Sequence, residues 1–166
     1  MQETFMRRAL AIARDSLAIP GALPYAAVVV KDGKIVGEGL NRAIANCDPT
    51  SHGEVEAIRA ACKHLATNDL AGCDLYTTAE PCAMCVATMY LSGIARMYYA
   101  SAAPESSAFL ARLASRDPRL KRRFSAQDLQ REVALPIGAR QMPAAPLLSS
   151  EAHALFDEYA KRAGAG

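Results

Sequence analysis

The chain has 166 residues, of which 51% are hydrophobic and 22% are charged, an ordinary composition for a globular protein. This length suits one domain, so we expect a single domain over residues 1–166, with a divergent C-terminal third from about residue 101. The net charge of +2 is too small to imply a polyanionic partner.

The cysteine content and the N-terminal stretch bear on where the protein works. The five cysteines are an odd number, and residues 1–15 are amphipathic rather than a basic head before an apolar run. No apolar run approaches the roughly 18 residues of a membrane helix. We therefore expect a cytoplasmic, reduced protein without a membrane partner. In that setting Cys-x-x-Cys indicates metal or redox chemistry more than a structural disulfide.

The first part of the chain predicts a helix and a hairpin. Apolar residues at helical spacing predict a helix over 4–18, which the Pro-Gly pair at 20–21 should end. The valine-rich run at 25–30 is typical of a strand buried on both faces. The Asp-Gly pair at 32–33 predicts a tight turn into an antiparallel partner strand over 35–41.

The middle of the chain predicts alternating helices and strands. A helix should begin at Ser51, followed by a strand over 75–78. A second helix should run from Pro81, at its first position, to about Ser92, with a strand over 94–100. A strand, a helix and a strand in succession indicate a parallel crossover. We expect an α/β fold with a mostly parallel central sheet and helices on both faces.

The last third gives weaker patterns. Residues 105–115 predict a helix, and 125–128 resemble a capping box before a short helix. Residues 141–148 contain two prolines, so that any strand there is an edge strand. A final helix is predicted over 150–163, and residues 164–166 should fray.

A split motif of His52 with Glu54 and Pro81-Cys82-x-x-Cys85 indicates chemistry. One imidazole and two thiolates can hold a tetrahedral zinc ion and leave its fourth position open for water, as catalytic zinc sites do. Glu54 would then move protons on that water. The pattern H-x-E…P-C-x-x-C is the known signature of zinc-dependent base deaminases.

The predicted helices place constraints on this motif. Cys82 and Cys85 are three residues apart, so both thiols should project from one side of a helix whose N-terminus favours thiolates. His52 and Glu54 would face opposite ways on a regular helix. Both reach one site only if His52 takes the half-helical first position, which Ser51 as the N-cap would provide.

Each half of the motif has another interpretation. Ser51-x-x-Glu54 by itself could be a capping box, and Cys82-x-x-Cys85 by itself could be a redox pair. The two halves together favour the metal site. A basic stripe over 112–123 could be a nucleic-acid footprint, but such runs are more often solvated faces.

Four stretches resemble the cytidine deaminase superfamily, in the branch of guanine deaminase, yeast-type cytosine deaminase and tRNA adenosine deaminase. They are PYAAVVVKDGKIVGEGLN at 24–41, DPT at 48–50, HGE at 52–54 and AEPCAMC at 79–85. The resemblance implies a three-layer αβα sandwich with a five-stranded mixed sheet whose fourth and fifth strands are parallel. It also implies one zinc ion per chain, a homodimer, and a substrate-binding role for Asn41.

The chain departs from these relatives at several positions. It has Pro-Tyr-Ala-Ala at 24–27 where most have Pro-Phe-Gly-Ala, and Gly53 where alanine is commoner. Guanine deaminases of this type carry Phe-Asp-Asp after the fourth strand, and the second Asp assists catalysis. The best match here is Phe-Ser-Ala at 124–126, which lacks both acids and disfavours guanine.

The acid that could replace the missing one is Glu105, Asp128 or Glu132. The sequence thus predicts a zinc-dependent hydrolase of C–N bonds in cyclic amidines, which deaminates a small free nucleobase or related amino-heterocycle and releases ammonia. A tRNA adenosine-to-inosine deaminase is the alternative that the basic stripe would support. A non-catalytic zinc- or RNA-binding scaffold is disfavoured, because it would have no need of the proton shuttle Glu54.

Overall fold

The computed structural model describes residues 2–121 and 123–163. The chain divides into two compact units, Met1–Arg131 and Glu132–Gly166, and each is described by itself. The prediction of one domain over 1–166 stays a prediction. The predicted fraying of residues 164–166 and the stripe residue Arg122 lie outside the described part of the chain.

The helices and strands follow one another in the predicted order. In chain sequence they are α1 (Gln2–Asp15), β1 (Leu23–Lys31), β2 (Lys34–Asn41), α2 (Gly53–Leu65), β3 (Asp74–Ala79), α3 (Ala83–Ser92), β4 (Arg96–Ser101), α4 (Ala103–Ala114), α5 (Ala126–Ala134) and α6 (Ser149–Ala163). Helix α1 ends before Pro20, and a 3-10 turn at Ser16–Ala18 follows it. The predicted capping box forms at α5, where the Ser125 hydroxyl oxygen accepts from the Asp128 N–H at 3.0 Å and the Asp128 carboxylate accepts from the Ser125 N–H at 3.3 Å.

The sheet is mixed and has the strand order β2-β1-β3-β4. Strand β1 runs antiparallel to β2 and β3, whereas β3 and β4 are parallel. The prediction of a mostly parallel sheet is therefore wrong, because two of the three strand pairings are antiparallel. The prediction of five strands is wrong for the described residues, which form four. Residues 141–148 form no strand, and Pro143 and Pro146 lack the N–H groups that a ladder needs.

The turn between β1 and β2 follows the predicted chemistry. Asp32 and Gly33 both have positive φ, 49° and 74°. A two-residue turn of the I′ type requires positive φ at both central positions, and Asp-Gly tolerates it well. This turn therefore sets the hairpin from local sequence alone.

The core lies on both faces of the sheet. Ala26, Val28 and Val30 of β1 belong to a buried cluster with residues of α1. Ala27 and Val29 belong to the opposite cluster, with residues of α2 and α3. The two-residue alternation of a strand explains this division. The αβα class is therefore confirmed.

Glycines let α2 approach the sheet closely. A Cβ on Gly39 would stand 2.1 Å from the Gly53 carbonyl oxygen and 2.3 Å from the Ala57 nitrogen. A Cβ on Gly53 would stand 2.7 Å from the Tyr25 oxygen. A Cβ atom cannot lie so close to backbone atoms. Glycine at these two positions therefore allows the first turn of α2 to pack directly against β1 and β2.

The second unit contains the end of α5, a 3-10 turn at Ile137–Ala139, and α6. The Glu132 carboxylate accepts a hydrogen bond from the Gln141 backbone N–H. Among residues 2–121 and 123–163, no helix combines the length and the apolar character needed to cross a bilayer.

Candidate metal centre and active site

Three ligand atoms converge at one edge of the sheet. His52 Nδ1 lies 3.7 Å from Cys82 Sγ and 3.4 Å from Cys85 Sγ, and the two sulfur atoms are 3.7 Å apart. Tetrahedral zinc with its usual bond lengths would separate two sulfur ligands by about 3.8 Å, and a sulfur from a nitrogen by about 3.6 Å. The residues present therefore fit one zinc ion.

His52 and Cys82 occupy equivalent positions at two helix starts. Each is the N-cap residue with extended backbone, at φ −79° and ψ 152° for His52 and φ −74° and ψ 169° for Cys82. Neither side chain caps its helix, so each can contribute to the cluster. The predictions that Ser51 caps α2 and that Pro81 takes the first helical position are wrong, because the helices begin at Gly53 and Ala83.

Ser51 anchors the loop before His52 instead of capping the helix. It is fully buried, and its hydroxyl accepts from Asn46 Nδ2 at 3.0 Å and donates to Glu56 Oε1 at 2.9 Å. Its carbonyl oxygen accepts from the Arg42 N–H at 3.0 Å. The alternative interpretation of Ser51-x-x-Glu54 as a capping box is therefore wrong. These bonds tie His52 to the end of β2 and to α2.

Glu54 lies in the first turn of α2 and is 6% exposed. Burial raises the pKa of its carboxyl above the ordinary value, and a hydrogen bond from its own backbone and the charge of His52 oppose this. It lines the same cavity as His52 and Cys82. A carboxyl group in this state can both accept and release protons closer to neutral pH.

The two thiols are hydrogen-bonded to each other, with their sulfur atoms 3.7 Å apart. Their mutual hydrogen bond lowers the pKa of Cys82 to about 3 and raises the pKa of Cys85. Cys82 is therefore the more readily ionised of the two thiols. A bound cation would favour ionisation of the other thiol as well.

A cavity of about 590 Å³ opens above the cluster. The predicted site residues Asn41, His52, Glu54 and Cys82 line it. Its other walls come from Tyr25, Ala79, Glu80, Ser106, Ser107, Leu110, Ala111, Ala114, Ser115, Leu120, Lys121, Phe124, Ser125 and Ala126. The volume is within the ordinary range for small-molecule sites.

Asn41 stands at the end of β2 and is 1% exposed. Its Oδ1 accepts from the Ala43 N–H at 3.2 Å, which orients the amide. The structure brings this side chain into the cavity that the ligand cluster adjoins. Its role in substrate binding stays a prediction.

The cavity contains an acid that the sequence reasoning missed. Among its lining residues the carboxylates are Glu54 and Glu80, whereas Glu105 and Asp128 are not part of the lining. Asp128 instead bonds to Ser125 in the capping box. Glu132 belongs to the other unit. Glu80 directly precedes the Pro-Cys pair, and that adjacency could have revealed it.

The basic stripe over 112–123 is divided among different environments. The Arg119 guanidinium pairs with Asp117 at 2.7 Å, and the Arg123 guanidinium lies 5.8 Å from the centre of the Phe124 ring. Lys121 lines the cavity, while Arg112 and Arg116 are exposed. These described residues do not form one uniform cationic face.

A comparison with known protein families identifies the family of this chain. Residues 1–101 match the cytidine and deoxycytidylate deaminase zinc-binding region. The chain belongs to this family. The superfamily that the sequence motifs predicted is confirmed, and so is a family zinc-binding region that contains the His52, Cys82 and Cys85 cluster.

Individual relatives extend this finding. The chain is 43% identical to guanine deaminase of Bacillus subtilis over 99 residues, which are 60% of this chain and 64% of that protein. The match therefore spans less than two thirds of that relative. The crystal structure of a Bacillus subtilis guanine deaminase superposes with a TM-score of 0.82 at 31% identity, over 97% of this chain and 94% of the other. A tRNA:A34 deaminase structure superposes with a TM-score of 0.58 at 40% identity, over 63% and 79%.

Proposed function

We propose that the chain is a zinc-dependent hydrolase that deaminates a small free nucleobase or related amino-heterocycle. The observation that carries the proposal is the convergence of three ligand atoms within 3.4–3.7 Å beside the buried Glu54, at one cavity. A structural zinc site would be closed by a fourth protein ligand, whereas three ligands beside a cavity suit catalysis. Family membership supports the same reaction class.

The metal would be held by His52 Nδ1, Cys82 Sγ and Cys85 Sγ. A zinc ion in such a site lowers the pKa of water toward ~7 and so supplies a nucleophile at neutral pH. The N-cap position of two of these residues holds their backbones in place, and Cys85 is fully buried in the core cluster. The protein therefore presents the three donors in a preorganised arrangement.

Glu54 would act as the proton carrier. Its carboxylate takes one proton from the attacking water and gives it to the ring nitrogen beside the amino-bearing carbon. It then takes the remaining proton of the new hydroxyl group and gives it to the leaving amine. The water oxygen becomes a carbonyl oxygen, the C–N bond breaks, and ammonia leaves. The raised pKa of the buried carboxyl suits a group that accepts and returns protons.

Asn41 would orient the heterocycle. Its Oδ1 is engaged by the Ala43 N–H, so that we assign the amide Nδ2 as a donor to an acceptor atom of the ring. Its burial fixes the position of that donor relative to Glu54. A fixed donor would hold the amino-bearing carbon over the metal cluster.

Two comparisons support a small base over a tRNA. The guanine deaminase structure matches 97% of this chain, whereas the tRNA:A34 deaminase structure matches 63%. Helix α4, which lines the cavity, lies beyond residues 1–101, so the match to the family region does not by itself choose between the two substrates. We keep a tRNA adenosine deaminase as the second candidate because of the 40% identity to that structure.

The test is ammonia release from the zinc-loaded full chain over a panel of substrates. The panel contains cytosine, guanine, 2,6-diaminopurine, aminotriazines, nucleosides and a tRNA anticodon stem. We expect turnover of at least one free heterocycle, and a loss of at least about 1,000-fold in Glu54→Gln with unchanged zinc content. The matched control is Glu38→Gln, whose carboxylate instead pairs with Arg8. Full activity in Glu54→Gln would contradict the proposed role.

Salt dependence separates the two candidates. An RNA substrate should lose affinity steeply between about 50 and 200 mM salt through counterion release, and a neutral base should not. Turnover confined to the anticodon stem, with a steep salt slope, would overturn the small-base proposal in favour of the tRNA candidate.

We also propose that the protein is a homodimer. Tyr90 and Leu91 of α3 are 83% and 88% exposed, and Met97 and Tyr99 of β4 are partly exposed. Tyr90 and Leu91 are neighbours in the chain, and Met97 and Tyr99 lie on the same face of the edge strand β4. Exposed apolar side chains grouped in this way are typical of protein interfaces. Analytical ultracentrifugation should give twice the 17.7 kDa chain mass, and a single species at that chain mass would contradict the proposal.

Two further proposals concern the whole chain. We propose that residues 1–166 act as one deaminase domain, a proposal that the 97% structural coverage supports. We also propose a cytoplasmic location, since the five cysteines are free thiols, which reducing compartments preserve. Limited proteolysis would test the first, through a cut near residue 131 that abolishes activity, and cell fractionation would test the second.

A further inference from the structure

Helix α4 forms a wall of the cavity but contributes little to the core. It presents Ser106, Ser107, Leu110, Ala111 and Ala114 to the cavity, and none of its residues is buried. Its N-cap residue Ala102 makes no side-chain capping bond. The position of this wall therefore depends on the few contacts that reach it from the sheet.

One such contact comes from Glu80, and the others come from Tyr25. Glu80 Oε2 accepts from the Ala103 N–H at 2.8 Å, at the first turn of α4. The Tyr25 hydroxyl donates to the Ser106 carbonyl oxygen at 3.2 Å. The Tyr25 ring also meets the Phe109 ring edge-on, with centroids 6.3 Å apart and planes at 80°. Tyr25 thus touches two successive turns of the wall.

Tyr25 is itself held by an irregularity in β1. The pairing of β1 with β2 shifts register between Leu23 and Ala26, which is a bulge at Pro24 and Tyr25. The buried Thr78 hydroxyl closes this bulge, because it accepts from the Ala26 N–H at 3.1 Å and donates to the Pro24 carbonyl oxygen at 3.4 Å. Bulges beside active sites commonly re-aim a side chain. Here the re-aimed side chain lines the cavity.

We propose that Tyr25 is a positioning residue that fixes the distance between α4 and the three candidate metal ligands. Through that distance it sets the size of the heterocycle that the cavity accepts. The inference rests on the proposed function for its substrate, although its structural part does not. The wall side chains are mostly small, so that a shift of the helix changes the width of the cavity more than their rotamers do. Tyr25 acts through α4 and takes no part in the proton transfers.

The kinetic test compares the wild-type chain with Tyr25→Phe, which loses only the hydroxyl. We expect KM for the best base of the panel to rise about three- to tenfold, the worth of one neutral hydrogen bond, with kcat within twofold. The ratio of kcat/KM for guanine to that for cytosine should change by a similar factor. Tyr98→Phe, which loses a hydroxyl that accepts from Gln2 Nε2 at 3.0 Å on the α1 side of the sheet, is the matched control and should change neither value.

A second measurement does not depend on turnover. Amide hydrogen exchange of the zinc-loaded chain should be about three- to tenfold faster in residues 103–114 of Tyr25→Phe, and unchanged in α2 and α3. Phe109→Leu, which weakens the ring contact from the α4 side, should act in the same direction and covers the case in which Tyr25→Phe folds poorly.

The outcomes separate the two proposals. Unchanged exchange in 103–114 for both variants overturns the role of Tyr25, whatever the activity. A loss of kcat at constant KM in Tyr25→Phe also overturns it, since the residue would then act in the chemical step. A wild-type protein that is inert on the whole panel contradicts the proposed function, while the exchange measurement still decides whether Tyr25 holds α4.

Discussion

The three candidate metal ligands, His52, Cys82 and Cys85, and the α4 wall of the cavity are held in place in different ways. Cys85 and Glu54 are buried, and Cys85 belongs to the core cluster between the sheet and its helices. The side chains of α4 are only partly covered, and the contacts that reach the helix from the sheet include two hydrogen bonds and one ring contact. Buried, closely packed residues tolerate few substitutions, whereas a helix with few contacts to the core can change its side chains and its position. We infer that the first region determines the reaction and the second determines the substrate.

The largest expected effect tests the cluster. Cys85→Ala removes one of three ligands and leaves too few to hold zinc tightly. We expect zinc content below one tenth of an equivalent after dialysis, measured by mass spectrometry of the metal, together with loss of ammonia release. Cys47→Ser, which alters an exposed cysteine, should keep one equivalent. Full zinc occupancy in Cys85→Ala would remove the cluster from its assigned role.

The next effect tests how tightly the first region is packed. Gly39→Ala would place a Cβ 2.1 Å from the Gly53 carbonyl oxygen and displace the helix start that carries His52. We expect a loss of about 2–3 kcal/mol in the free energy of unfolding, measured in urea. Gly138→Ala, with no atom within 4 Å of the added Cβ, should change it by less than about 0.5 kcal/mol. Equal free energies of unfolding for the two variants would mean that the packing between β2 and the first turn of α2 accommodates the added methyl group at little cost.

A smaller effect tests the wall. Ala111→Leu adds volume to the α4 face that lines the cavity, so kcat/KM for a purine should fall about tenfold relative to a pyrimidine. Ala108→Leu, an exposed α4 position outside the lining, is the control. Zinc content should be unchanged in both. A uniform loss over all substrates would instead mean that the wall also supports the reaction.

The smallest expected effect concerns the capping box of α5, whose Ser125 also lines the cavity. Hydrogen bonds from Ser125 lower the pKa of Asp128 below its ordinary value of 3.8. A carboxylate with a lowered pKa stabilises the fold above pH 3.8 and loses this effect as the pH falls through the folded value. Asp128→Ala should therefore speed amide exchange in α5 at pH 6 but not well below the folded pKa. Gln130→Ala, at an exposed position of α5, should be neutral at both pH values.

The elements of the first hundred residues were predictable because their signals are local. The Asp32-Gly33 turn follows from two residues, and the burial of β1 on both faces follows from its run of valines. The family follows from short motifs as well, since its metal ligands come from the starts of two helices. The first residues of those helices were less predictable. The predicted starts were Ser51 and Pro81, whereas α2 and α3 begin one residue after His52 and Cys82.

Other features depended on contacts between distant residues. Glu80 and Tyr25 lie more than 20 residues from the α4 atoms that they bind, so that no local pattern reveals the bonds. The candidate acids Glu105 and Asp128 were chosen by type and position, and neither lines the cavity. The fifth strand, which the resemblance implied, is absent from the described residues, and the separate segment 141–148, with two prolines, forms no strand either.

The sequence by itself determined the candidate metal ligands and the candidate proton carrier Glu54, because the chemistry needs particular residue types at short spacings that a helix start preserves. Only the tertiary structure decided that His52 and Cys82 are the N-cap residues, that Ser51 anchors the preceding loop, and that α4 forms the wall. These features arise from packing and from hydrogen bonds across the sheet, which join residues whose separation in the chain carries no pattern.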